Sequence, residues 1–139
     1  MKTIGKWVTR ALRWVLGGWF LVFGALFLAA RFGLPIDLPS DGNARAAAFM
    51  AALRESGYIG ELMYAGFFAG GLATLFDRTA PLGLVLLGPF VEVIFFHDLV
   101  LTGNWPFGSF WMALFLVLFW LYRRRLSALW TPTRAQGIR

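Results

Sequence analysis

Three ionisable side chains sit where hydrocarbon would be their solvent: Glu92, His97 and Asp98, inside the stretch from Ala80 to Asn104. From Pro81 to Leu101 that stretch is otherwise almost wholly apolar and long enough to cross a bilayer as a helix. Charged groups at such depth are costly in lipid, so they normally face protein or a wet cavity. A carboxylic acid kept neutral by burial suits proton carriage. Gly88-Pro89 lies one turn before Glu92. The proline's missing donor predicts a kink at Pro89 that frees a carbonyl for a polar partner. Glu92 is therefore expected to face the interior of a helix bundle as a neutral, hydrogen-bonded acid.

The same spacings exclude other chemistries. Glu92 and His97 are five residues apart, about 140° around a helix, so they are not a same-face metal pair and no metal is expected. The single histidine cannot supply two axial haem ligands. The absence of cysteine excludes disulfides, thiol redox chemistry and cysteine-held clusters. No glycine-rich phosphate loop and no Ser-His-Asp arrangement is present. Ser109 and Ser127 fall on helical stretches, where a hydroxyl bonds backbone.

The elements that must position these residues follow from composition. Hydrophobic residues make up 59% of the 139-residue chain and charged residues 14%, where soluble domains carry about 25% charged. Mean hydropathy is +0.68. The expected fold is an all-α integral membrane four-helix bundle, one transmembrane domain over residues 1–139. Residues 1–13 read as a basic amphipathic lead-in, with Ile4, Trp7, Val8 and Ala11 on one face and Lys2, Lys6, Arg10 and Arg13 on the other. Spans are expected at 14–32, 58–76, 81–101 and 107–122. The first apolar run competes with a signal-peptide reading but is longer than a usual signal core. Gly33, Pro35 and Pro39 break the first helix. A short interfacial helix over 41–56, capped by Ser40 or Asp41, follows, with Ala48, Phe49, Ala52 and Leu53 as its apolar stripe. Gly66 and Gly70, with Ala65, Ala69 and Ala73, make a small-residue stripe in the second span. Such stripes let helices approach closely in lipid, within the bundle or between copies. The tail to Arg139 reads as basic and poorly ordered.

Ten basic residues fall on one side of these spans and three, Arg31, Arg45 and Arg54, on the other. The bias predicts an inner-membrane protein with both termini cytoplasmic. The net charge of +6 then reads as anchoring to anionic headgroups, and no nucleic-acid partner is expected. At about 1.5 Å per residue, Glu61 lies about 5 Å below the outer surface, His97 about 6 Å and Glu92 about 13 Å. With Arg31 at the outer end of span one, Arg31, Glu61, Glu92, His97 and Asp98 form the candidate polar site. The plainer reading is that all but Glu92 snorkel to the interface.

Several short elements, in order, carry a resemblance. They run from Arg13–Gly24 through Phe32-Gly33-Leu34-Pro35, Ser56-Gly57-Tyr58 and Ala69-Gly70-Gly71-Leu72. Ala80-Pro81-Leu82-Gly83, Leu87-Gly88-Pro89, Phe96-His97 and Trp120-Leu121-Tyr122-Arg123 complete them. Over residues 10–125 the chain resembles the DoxX-like membrane proteins. Phe67 stands where that family often has a glutamate, and Glu92 where it often has an asparagine. The resemblance implies a four-helix membrane bundle acting as an accessory or quinone-interacting subunit of a membrane redox system. Quinone is the cofactor it suggests, and other membrane subunits are the partners. The alternatives are a small proton-coupled carrier using Glu92 and a non-catalytic scaffold.

Overall fold

The computed structural model describes residues 2–36 and 43–127, with side chains from Gly5 onward. Ser40, Asp41 and the tail from residue 128, about which the sequence raises expectations, lie outside the described residues. The described residues are all-helical. Three helical stretches, Gly5–Arg31, Ala80–Thr102 and Trp105–Ser127, are long and apolar enough to cross a membrane.

Helix α1 (Lys2–Arg31) joins the basic lead-in and the first apolar run without a break. Its 30 residues extend about 45 Å at the usual helical rise, more than the ~30 Å of a bilayer's hydrocarbon. Helix α2 (Ala44–Glu55) is shorter than the sequence suggested, and its cap is Asn43. The Asn43 Oδ1 accepts from the Arg45 and Ala46 amides at 3.1 and 3.0 Å. Its Nδ2 donates to the Leu101 carbonyl at 2.6 Å, tying α2 to the end of the third apolar stretch. Helix α3 (Ile59–Leu75) is apolar but has only 17 residues, about 26 Å by the same rise.

Helix α4 (Ala80–Phe96) starts with Pro81 in its first turn, where a missing donor does no harm. It runs unbroken through Pro89. A change in winding comes at His97, where a π-helical segment (His97–Thr102) takes over until Gly103, at φ 74°, ends it. Such wide turns are rare and are found frequently at functional sites. Helix α5 (Trp105–Ser127) completes the chain.

Helices α1, α3, α4 and α5 pack in a ring in that order, α5 closing onto α1, while α2 rests on the π segment and α3. In lipid the drive for such packing is close fit, so small residues decide where backbones meet. A methyl group on Gly17 would stand 2.8 Å from the Gly71 carbonyl oxygen, and one on Gly71 2.5 Å from the Leu21 amide. One on Gly24 would stand 2.6 Å from the Phe68 amide. The α1–α3 seam is thus backbone against backbone. Gly66 and Gly70 face α4, but they meet side chains there, the Phe90 ring and the tip of Leu87. Gly83 of α4 sits against Thr74 and the Gly70 carbonyl. Leu16, Phe20, Leu84, Leu87, Val91 and Leu118 fill the centre of the ring.

Candidate functional site

Between α1, α3, α4 and α2 lies a cavity of about 630 Å³. Its walls are rings and thioethers. Trp19, Phe20, Phe23 and Phe27 come from α1, Met63, Tyr64 and Phe67 from α3, and Phe49, Met50 and Leu53 from α2. Phe27 and Tyr64 stack with centroids 4.4 Å apart, and Phe20 meets Phe67 edge-on at 5.2 Å. The face of α2 turned inward is therefore Ala46, Phe49, Met50 and Leu53. Ala48 and Ala52, expected on that stripe, are exposed.

The polar part of the wall comes from the π segment. His97 and Asp98 line the cavity with Thr102 and Asn104. His97 Nδ1 and Asp98 Oδ1 are 3.2 Å apart, and the Thr102 hydroxyl donates to the Asp98 carbonyl at 3.2 Å. The Asp98 side chain is 10% exposed and that of His97 20%. His97 Nε2 and Asp98 Oδ2 are buried without a hydrogen-bond partner among the described residues. Buried polar atoms are rarely left so. Asp98 can sit this deep because Gly108 of α5 has no side chain. A methyl group there would lie 2.9 Å from the Asp98 Cβ and 3.2 Å from its Oδ2. The Phe49 ring lies 5.8 Å from the imidazole. When His97 Nδ1 carries the proton and donates to Asp98, Nε2 accepts; with both nitrogens protonated it donates. The pair can thus bond either a carbonyl or a hydroxyl edge.

The other sequence candidates lie elsewhere. Arg31 Nε donates to Glu61 Oε1 at 2.7 Å, forming an exposed ion pair across the ends of α1 and α3. Neither residue lines the cavity. Glu92 does not face the interior: its side chain is exposed on the outer face of α4, between Val85, Pro89 and Phe96. The five-residue step that separates it from His97 turns one outward as it turns the other inward.

No known family model, curated protein or solved structure matches the chain. Function is therefore argued from the sites themselves.

One cluster escaped the sequence reading. At the opposite end of the ring, Arg13 is 6% exposed. Its Nη1 donates to Asp77 Oδ1 at 2.7 Å and to the Tyr122 hydroxyl at 3.0 Å. Tyr122 in turn donates to the same carboxylate oxygen at 2.5 Å. Arg125 Nη1 reaches Asp77 Oδ2 at 2.7 Å and the Asp77 carbonyl at 2.9 Å. The Tyr122 hydroxyl, then the Arg125 guanidinium, hold the Asp77 carboxyl below its ordinary range. A signal existed: Asp77 is the one acidic residue on the side to which the expected four-span topology assigns ten basic ones.

Proposed function

We infer that the chain is a DoxX-like subunit of a membrane redox assembly that binds a flat, apolar ring of quinone or quinol type. The observation that carries this reading is the aromatic cavity of about 630 Å³ with the unsatisfied His97–Asp98 pair in its wall. Ligand sites are mostly apolar with a few placed polar groups. A quinone would present flat faces to rings such as Phe27 and Tyr64 and one of its two carbonyl edges to His97. A carbonyl takes a bond from imidazolium, whereas a quinol hydroxyl gives one to neutral imidazole.

In this reading α3 supplies a fourth span, α2 lies at the outer interface beside the cavity, and both termini are cytoplasmic in the inner membrane. The ten-to-three bias of basic residues supports that orientation. Glu92 supports the assembly. An exposed carboxyl midway along the Ala80–Thr102 stretch would cost about 2.5–3.5 kcal/mol at the bilayer centre, so a neighbouring membrane subunit is the natural cover for that face. The carrier reading rested on Glu92 inside the bundle and loses its residue.

Short-chain quinone analogues titrated into the detergent-solubilised protein should quench tryptophan emission saturably, because Trp19 lines the cavity. Trp19→Phe should remove most of the saturable component. His97→Ala should weaken binding about tenfold, the worth of one hydrogen bond near 1.4 kcal/mol. Quenching that never saturates, or that ignores His97→Ala, would sink the proposal.

A further inference from the structure

The Arg13–Asp77–Tyr122–Arg125 cluster forms the floor of a second cavity, about 850 Å³, at the opposite end of the ring from the aromatic one. Lys6 and Arg10 stand at its side on α1, with Leu121 across from them on α5. Lys6, Arg10, Arg13 and Arg125 are its cations and Asp77 its one carboxylate. That carboxylate is already spent on Arg13 and Arg125. Lys6 and Arg10 have no carboxylate partner among the described residues. The Arg13 side chain is 8% exposed, and its Nε is buried without a partner.

Diffuse attraction of a basic surface to a bilayer needs none of this construction. Here one guanidinium is buried and oriented by two partners, a second is held by the same carboxylate, and two cations with no carboxylate partner among the described residues flank the space they border. Trp7, 64% exposed and with the Arg10 guanidinium 5.7 Å from its ring, and the exposed Leu121 give the cavity an apolar edge. Tryptophan and arginine in this combination belong to the headgroup level of a membrane. We propose that this cavity is a discrete site for the phosphate of one anionic phospholipid, with Lys6 and Arg10 on the phosphate oxygens and the glycerol end toward Trp7 and Leu121. Asp77, shared by both, holds the like-charged Arg13 and Arg125 side by side against their mutual repulsion when the site is empty, and their remaining N–H groups complete the cradle.

The test uses the full chain in nanodiscs. In phosphatidylcholine containing about one-fifth phosphatidylglycerol it should melt roughly 4 °C higher than in phosphatidylcholine alone, as expected for a ligand that binds the folded state. Native mass spectrometry should retain one phosphatidylglycerol per chain. Lys6→Gln with Arg10→Gln, both exposed and outside the Asp77 cluster, should fold normally but lose the shift and the retained lipid. Equal shifts in wild type and the double variant, or no shift at all, would overturn the site. Inorganic phosphate added to the phosphatidylcholine nanodiscs should do little. A full shift from it would keep the phosphate cradle but overturn the lipid as its source.

Discussion

Asp77 is half in water, 59% exposed at its side chain, yet it accepts from three residues on two helices. Solvent screening limits what such an exposed carboxylate contributes, so the clamp is worth about 1 kcal/mol. Because its folded pKa is depressed, that contribution is fully present above the unfolded value near 3.8 and disappears as pH falls through the folded one. Wild-type melting temperature minus that of Asp77→Asn should therefore be positive and flat from neutral pH down to about 4 and shrink below it. A difference that grows on acidification would mean Asp77 contributes through something other than its charge. At this scale the sequence was half legible. His97 and Asp98 announced themselves as ionisable groups in an apolar run. Glu92 did too, but a residue's depth can be read from its place in the run, whereas its direction depends on how the helix is rotated in the ring. Arg13 was hidden because a basic residue before a span normally points at headgroups, and only Asp77 and Tyr122, far away in the chain, turn it inward.

Among the elements, the four apolar stretches and the helix between the first two were legible from hydropathy and from breakers such as Pro35 and Gly57. The seam that holds them was not. Gly66 and Gly70 stand out by spacing, but they meet side chains that can move, whereas Gly17, Gly24 and Gly71 meet backbone that cannot. Spacing along one helix does not say what lies across from it. The distinction has a measurable consequence. Gly71→Ala should cost about 1–3 kcal/mol, the usual penalty for overpacking, and Gly66→Ala distinctly less, because the Phe90 ring can turn away. Thermal melting in detergent checks this; equal losses would show the two seams to be equally rigid. The π segment was also invisible to periodicity, since it contains no glycine or proline before Gly103. It matters because it ends α4 with His97 and Asp98 on the cavity wall and stays tied to α2 through Asn43.

On the scale of the whole molecule, the two cavities sit at opposite ends of one ring, the aromatic one lined by the C-terminal parts of α1 and α4 and the N-terminal half of α3, the basic one by the N-terminal part of α1 and the C-terminal part of α5. Helix α1 borders both, so a ligand at one end and a headgroup at the other would press on the same helix. Helix α3 adds a constraint of another kind. Its 17 residues reach about 26 Å, a few ångströms short of an average hydrocarbon core, while beside it α1 has 30 residues and α4 with its π segment 23. Leu62, Phe68 and Leu72 are exposed along one side of α3. With α3 as the fourth span of the proposed bundle, a bilayer would have to thin along that side alone, or the helix draw polar backbone inward, and either would carry a cost for each ångström of mismatch. The protein should therefore be most stable where acyl chains are short. Melting temperature in nanodiscs of phosphatidylcholines with increasing chain length should peak at the shorter lengths and decline toward the longer ones, whatever their headgroup charge. Such a one-sided dimple would also draw toward it any membrane partner with a similarly short span, so that acyl length, and not surface chemistry alone, would help choose the chain's neighbours.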